Sequence, residues 1–457
     1  MNPRRIIAIA QLTVRDAIRS RLLLALAALI LTVLIAIPLL IADTSSPADR
    51  LSVILLYSLN AVLFILTVST LWASCVAVAG DIADRRLHLV LAKPVHRYEL
   101  WLGKWIGIVL LNLAVLAVSG SVMAGVLFRS WNSLPAGSPQ RLQAEARLLT
   151  ARTPFLPELP PNLEQQVEKR LAALPENPAI PAQASRQQQR QWLRREVIHA
   201  AMMIPSGGSL SLHYRIPSVA CLPLPCELRF SMESSQPDRQ YVSGIWQIAD
   251  ATGQHLSIPF TNAPGIPSQI LIPAFSHSTH GPLTITLTRT DTGNSARLLL
   301  APNGNPPELL IPVGAFGPNF CRALLIAWFR LAFVAALGIT MGCLLSLPVS
   351  VFAAFAVLVL LHLSGFISMV AATGTLVEHH HGDITPPGLL DLALLRFITA
   401  INHVTGPLDY YNAIPWMAEG RRITWEMTAK AFGVLSLLYS AAVAIPGILL
   451  FNRREMP

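Results

Sequence analysis

The sequence lacks the residue patterns that would let this chain carry out covalent or hydrolytic chemistry alone. It has no Gly-x-Ser-x-Gly elbow, no His-Glu-x-x-His pair and no paired carboxylates inside an apolar run, so the common nucleophile and general-base arrangements are missing. No G-x-x-x-x-G-K-[ST] loop is present to cradle phosphates, so no nucleotide site, metal or cofactor is expected in the chain. His379, His380 and His381, flanked by Glu378 and Asp383, could offer imidazoles to copper or zinc. Ligands at i, i+1 and i+2 rarely close a site, and His403 stands in no fixed relation to them, so a hydrophilic loop end is expected. Cys221 and Cys226 bracket Leu-Pro-Leu-Pro and form a candidate disulfide, subject to backbone reach. The other cysteines, Cys75, Cys321 and Cys343, lie in or beside apolar runs and read as packing residues, and without any C-x-x-C pair a zinc ribbon is excluded.

The most informative stretch is the charged and amphipathic segment from Asp81 to Lys104. Asp81, Arg85 and Arg86 end one helix, Leu87–Ala92 reads as a short apolar helix, and Pro94 stops it. Val95, Arg97 and Lys104 then lead into the next apolar run beside Tyr98, Leu100, Trp101 and Trp105. A rigid knob of this kind is something a motor protein could push on; the plainer alternative is an ordinary interfacial loop.

Composition dictates what must position that segment. Of 457 residues, 53% are hydrophobic and 13% charged, against about 25% charged in ordinary soluble domains. The chain is therefore read as a polytopic membrane protein. A hydrocarbon core needs about 20 apolar residues in a helix, and six stretches qualify: Leu22–Ala42, Leu51–Ala79, Trp105–Phe128, Ala323–Leu347, Val349–Ala372 and Ala431–Phe451. The formal charge of +9 comes from cations gathered at the edges of these runs, where they face anionic lipid, so a nucleic-acid partner is not expected. Arg4, Arg5, Arg15, Arg19 and Arg21, the Arg85–Lys104 cluster, and Arg453 and Arg454 fall on one side if the spans number six. By the positive-inside rule that side is the cytoplasm, with both termini there. Arg421, Arg422 and Lys430 then fall in an external loop, 373–430, as a mild violation. At 100° per residue Ile6, Ile7, Ile9, Ala10, Val14, Ala17 and Ile18 gather on one arc, as in a helix lying in the membrane interface, although Leu12 falls off the stripe.

Within the spans, Asn60 and Asn112 are expected to form interhelical hydrogen bonds, His362 to be neutral and hydrogen-bonded, and Arg330 to snorkel to the outer surface if the fourth span begins nearer Leu331. Between the third and fourth spans lies a long extracytoplasmic interval. Residues 129–207 are rich in Pro, Gln, Arg and Ala and read as a helical stalk, with patterns at Leu163–Leu174 and Gln187–Met203. From 208 to 319 the period becomes two. Eight runs, Ser209–Ile216, Glu227–Met232, Tyr241–Ile248, His255–Phe260, Gln269–Phe275, Leu283–Thr290, Ala296–Leu300 and Glu308–Val313, predict a β-sandwich inside an α+β insertion.

The 81–104 segment resembles the permease subunits of type 2 ABC transporters, in particular the NosY-like group. The resemblance rests on Asp81, Leu91, Ala92, Lys93, Pro94, Val95, Arg97, Leu100, Gly103 and Lys104; Arg86 stands where that family has threonine. The N-terminal interface helix, Leu347–Val349 and the Phe-Asn-Arg-Arg-Glu at 451–455 also fit it, so it covers residues 1–128 and 320–457. It implies a six-helix half-transporter of the bacterial inner membrane that pairs with a second permease chain, identical or not. Asp81, Arg85, Arg86, Leu87, Leu91, Lys93, Pro94, Val95, Arg97 and Lys104 would dock into a separate ATP-binding cassette subunit holding ATP and Mg. On this reading the chain is not an enzyme, and its external domain recruits cargo or a periplasmic protein. A membrane-anchored binding or sensor protein is the rival from another class, and a secondary transporter would require more intramembrane carboxylates or broken helices.

Overall fold

The computed structural model describes residues 2–41, 46–84, 96–159, 162–173, 186–205, 207–216, 225–234, 241–249, 255–273, 282–290, 298–300, 306–363 and 389–453. The chain forms two units. One comprises Met1–Ala144, Phe316–Glu419 and Ile423–Pro457; the other comprises Glu145–Ala315 and Gly420–Arg422.

The first unit is helical. It begins with α1 (Pro3–Arg19), capped by the Asn2 side chain, then α2 (Arg21–Leu40), α3 (Pro47–Cys75) and α4 (Arg97–Asn132). A π-helical turn, Val76–Gly80, and a short extension, Asp81–Ala83, prolong α3. Helix α5 (Pro139–Leu148) contains the division between the units, and α6 (Leu163–Ala172) and α7 (Arg186–Ala201) belong to the second. The first unit resumes with α8 (Phe316–Leu344), α9 (Leu347–His362), α10 (Leu389–Tyr410), α11 (Ala413–Ala418) and α12 (Trp425–Ala431), the last continuing through a π-helical stretch to Arg453.

Among the described residues five helices are long and apolar enough to cross a membrane: Arg21–Leu40, Pro47–Ala83, Arg97–Asn132, Phe316–Leu344 and Trp425–Arg453. The expected sixth, Val349–Ala372, is described only as α9. Its 16 residues rise about 24 Å at about 1.5 Å each, short of a roughly 30 Å core, and residues 364–372 lie outside the described residues. The region 373–430, expected as a loop, carries α10 and α11.

Glycines set how closely these helices approach. A Cβ on Gly103 would lie 2.6 Å from the Ile9 Cβ, and one on Gly107 would lie 2.9 Å from the Ala10 carbonyl oxygen, so the backbones of α1 and α4 meet at these two positions. The same spacing recurs on α8. A Cβ on Gly338 would fall 2.6 Å from the Ser74 Cβ, and one on Gly342 would fall 2.8 Å from the Cys75 carbonyl oxygen of α3. Helix α1 thus buries Ile6 and Ala10 against α4, while Ile7 and Ile18 of its apolar arc stay exposed.

The second unit contains strands β1 (Thr150–Phe155), β2 (Met203–Ile204), β3 (Ser209–Arg215), β4 (Cys226–Phe230), β5 (Glu233–Ser234), β6 (Val242–Ala249), β7 (His255–Asn262), β8 (Ser268–Ile272), β9 (Pro282–Arg289), β10 (Leu298–Leu299) and β11 (Glu308–Ala315). They pair antiparallel in the orders β1-β11-β4-β8, β3-β9-β6-β7 and β2-β10-β5. Every second side chain points into one core. Leu228, Phe230, Ile270, Leu309 and Ile311 come from one four-stranded sheet, and Leu212, Tyr214, Trp246, Ile285 and Leu287 from the other. Trp246 sits at its centre, with its ring 4.9 Å from Phe230 and 5.9 Å from Phe260. Helices α6 and α7 add Leu163, Val167, Leu193 and Val197 to the same core, so the segment expected as a stalk, 129–207, belongs to this unit from Glu145 onward. It also supplies the edge strand β1, where Pro154 is tolerated because one side of an edge strand needs no ladder donor.

A carboxylate is buried beside this core. Glu227 is fully enclosed and pairs with Arg152, with Arg229 at 2.9 Å and with Arg147 at 3.5 Å. Burial alone would raise the Glu227 carboxyl, but Arg152, Arg229 and Arg147 outweigh it and hold the group below the usual carboxylate range.

Two predictions follow from these contacts. In detergent-solubilised protein, Gly107→Val should lower stability by about 1–3 kcal/mol through overpacking. Gly125→Val, where nothing lies within 4 Å of the added Cβ, should stay within about 0.5 kcal/mol on thermal unfolding. Because the folded Glu227 value is depressed, its stabilisation is present above an unfolded carboxyl value near ~4.3 and is lost as pH falls through the folded value. Glu227→Gln should therefore reduce stability at pH 7 and flatten the acid limb of the stability–pH curve.

Candidate functional site

The segment singled out in the sequence is described at its two stems. Arg85, Arg86, Leu87, Leu91, Lys93, Pro94 and Val95, and with them the expected Leu87–Ala92 helix, lie outside the described residues. Asp81 stands just past the π-helical turn of α3, while Arg97 and Lys104 lie in the first two turns of α4.

Lys104 is almost wholly enclosed. Its ammonium donates to the Asp81 carboxylate and to the carbonyl oxygen of Ala77 inside the π-helical turn. A π-helical turn widens the backbone ladder and lets a carbonyl take a partner from outside the helix, so this irregularity and the buried lysine are parts of one feature. Arg97 donates to the Phe451 carbonyl oxygen near the C-terminal end of the helix that begins at α12, and its guanidinium lies 5.2 Å from the centre of the Phe451 ring. The two cations are therefore internal ties of the stems.

The start of α4 is fixed further by Glu99, which is 1% exposed. Its carboxylate accepts from the His96 backbone N–H at 3.3 Å, completing a capping box, and from the Asn2 backbone N–H at 3.0 Å; Arg5 stands 3.7 Å away. The beginning of α1 is thus pinned to the beginning of α4. Farther along, Trp101 Nε1 donates to Thr340 Oγ1 at 3.3 Å, Trp105 Nε1 to the Ala332 carbonyl and Trp328 Nε1 to the Val109 carbonyl, both at 2.8 Å. Trp101 and Trp105, expected at the start of a span, act here as crosslinks between α4 and α8.

The other residues of interest divide. Asn112 Oδ1 accepts from Thr70 Oγ1 at 3.0 Å and ties α4 to α3 as expected, whereas Asn60 is exposed on α3 and has no hydrogen-bond partner among the described residues. Arg330 is half-buried midway along α8, next to Leu331. Cys226 begins β4 and is buried; Cys221 lies outside the described residues, as do Glu378, His379–His381 and Asp383. Among the described residues no group of three or more metal-ligating side chains converges.

Sequence reasoning missed Asn2, Glu99 and Phe451 as stem residues, along with the glycine pairs. The glycines had a signal, since Gly103/Gly107 and Gly338/Gly342 are both Gly-x-x-x-Gly in apolar helices. The first pair falls within a match to known sequences: residues 7–144 match the family model described as ABC-2 family transporter protein, ending where the first stretch of the helical unit ends. No curated protein and no solved structure matches the chain. What the chain is similar to, over its first membrane helices, is the membrane component of ABC-2 transporters.

Proposed function

We propose that the chain is the permease subunit of an ABC transporter of the NosY-like group, driven by a separate ATP-binding subunit that holds ATP and Mg. The observation that carries this reading is the tied pair of stems at Asp81/Lys104 and Arg97/Phe451, of which Asp81, Arg97 and Lys104 lie within the stretch that matches ABC-2 transporters. A loop that receives force from a partner must pass it into helices without yielding at its own base. The enclosed Lys104 paired with Asp81 and the Arg97 contact with Phe451 supply that stiffness at the stems, and residues 85–95 between them are the docking element.

In this reading the chain is not itself an ATPase and needs a second permease chain to complete the pathway. It sits in the bacterial inner membrane with both termini cytoplasmic, and the segment around α9 supplies a sixth span. The second unit is a β-sandwich domain on the periplasmic side, where it receives cargo or a partner protein. An open cleft of about 360 Å³, walled by Leu156, Pro157, Leu159, Ile198 and Pro306, carries Arg194 and Arg195 and suits an acidic, partly apolar segment.

The test uses the full chain purified from native membranes. ATP hydrolysis should co-elute with it, together with a protein carrying the phosphate-binding motif this chain lacks, and deletion of Leu87–Ala92 should abolish both. Undiminished co-elution after the deletion would overturn the docking assignment, and a chain that never carries ATPase activity would favour a membrane-anchored binding protein.

A further inference from the structure

Strand register in the second unit fixes which side chains stand on the outward side of β3-β9-β6-β7. Across its middle the row reads Ser211, Thr286, Gln247 and Ser257, each directly opposite the next on the neighbouring strand. The next outward row reads His213, Thr284, Ala249 and His255. The alternate residues, among them Leu212, Tyr214, Trp246 and Leu287, point the other way into the core, so the hydroxyls cannot change face without a slip of the whole register. Ser211, His213, Gln247, His255 and Ser257 are exposed.

The face is polar without being charged. Strands β3, β6, β7 and β9 contain no Asp, Glu or Lys; Arg289 is buried on the inner side, and Arg215, at one corner, is held by Glu158 at 2.8 Å. A solvated surface ordinarily carries charges for solubility, and edge strands such as β3 and β7 carry them to deter pairing. The same unit does so elsewhere: Glu164, Glu168, Arg170, Arg190 and Glu196 are paired and exposed along α6 and α7.

The hydroxyls are held in place by lateral bonds. Ser211 Oγ and Thr286 Oγ1 are 2.9 Å apart, Ser243 Oγ and Thr261 Oγ1 are 3.1 Å apart, and Thr284 Oγ1 lies 3.1 Å from His213 Nδ1. A hydroxyl has one donor and two acceptor sites, so each lateral bond leaves capacity directed outward. Short side chains on paired strands also lose little freedom when a ligand settles on them. With about 4.8 Å between strands and about 6.8 Å between same-face residues, the array is a flat grid about 14 Å across rather than a pocket. Apolar surface lies alongside it: Ile245 and Pro259 are opposite each other in the row next to Gln247 and Ser257, and Tyr241, two residues ahead of Ser243, is 61% exposed.

We propose that this face is a binding site for a linear, neutral polysaccharide. A sugar ring is amphipathic: its hydroxyls replace the water bonded to the Ser, Thr and Gln side chains, and its C–H face packs on Tyr241, Ile245 or Pro259. A flat grid takes several consecutive sugar residues, whereas a single terminal sugar needs a pocket. Phosphate-bearing or acidic ligands require cations that the face lacks, and a protein hot spot requires a Trp, Tyr or Arg anchor at its centre, where this face has Thr286 and Gln247. The site shares no residue with the cleft at Arg194 and Arg195, and it goes beyond the permease reading without depending on it.

The test is isothermal titration of the full-length chain in lipid nanodiscs, where no glycoside detergent competes. The probes are cellohexaose, maltohexaose and mannohexaose, with hexagalacturonate as the charged counterpart. At least one neutral hexasaccharide should bind and hexagalacturonate should not. Thr286→Val, which keeps the shape of the side chain, and Gln247→Ala should each weaken binding by about tenfold, the effect of losing about one net hydrogen bond. Tyr241→Ala, which lies outside the strand ladder, should weaken it as well, and Glu168→Gln on α6 should leave it unchanged. Unchanged thermal unfolding of the face variants shows that the fold is intact. Absence of binding by all three neutral probes, equal binding of hexagalacturonate, or binding that survives the face substitutions would overturn the site. None of these readings needs the ATP-binding subunit, so failure of the site is distinguishable from failure of the permease assignment.

Discussion

The enclosed ammonium of Lys104 is the constraint around which the first helices are arranged. Removing an ammonium from water costs several kcal/mol unless a counter-charge and hydrogen-bond acceptors replace the lost hydration. Here the replacement comes from two points on one helix, the Asp81 carboxylate and the Ala77 carbonyl, and the second is offered by the π-helical turn. An uninterrupted α-helix would commit that carbonyl to its own ladder. The irregularity in α3 and the charge in α4 therefore stabilise each other, and together they hold the ends of the intervening segment at a fixed separation.

Close helix approach makes this arrangement continuous with the rest of the membrane unit. In lipid the apolar surface of one helix gains little by leaving the hydrocarbon, so association depends on backbone proximity and polar ties. Gly103 and Gly107 admit α1 onto α4, and Gly338 and Gly342 admit α8 onto α3 beside the π-helical turn. The indole N–H groups of Trp101, Trp105 and Trp328 then find acceptors between α4 and α8 where a smaller apolar residue would find none. Movement of the stems would be felt first by α1 and α8, since those helices leave no compressible layer between backbones.

How much of this was legible in the sequence depended on whether the signal was periodic or positional. The alternation of Leu210, Leu212 and Tyr214 with Ser211 and His213 located β3 within one residue, and all eight runs of this kind overlap strands. Strand β1 escaped because Thr-Ala-Arg-Thr-Pro-Phe has no alternation and buries an arginine instead; its partner Glu227 lies 75 residues away, beyond any local pattern. Asp81, Arg97 and Lys104 were identified from residue type and spacing, but their roles were not. A lysine next to tryptophans reads as an interfacial cation, and only the fold brings Ala77 and Phe451 to meet the two cations. Asn112 found the interhelical partner its type implied, and Asn60 did not, because a wheel gives the face of a helix without saying which faces are covered.

The cations at 421, 422 and 430 show the same limit from the opposite direction. Counted as loop charges they run against the positive-inside bias, which is statistical and tolerates exceptions at some cost to topology. In the fold each takes part in a contact. Arg421 pairs with Glu308, the Arg422 backbone completes the bridge to β1, and Lys430 pairs with Glu426 one turn away on α12. An exposed pair such as Lys430–Glu426 contributes little to stability. The half-buried Arg421–Glu308 pair sits instead where two segments distant in sequence must keep register, and a charge there specifies position as well as stabilising it. Arg421 is thus placed by its pairing with Glu308 beside the bridge to β1, a contact that a count of loop charges does not register.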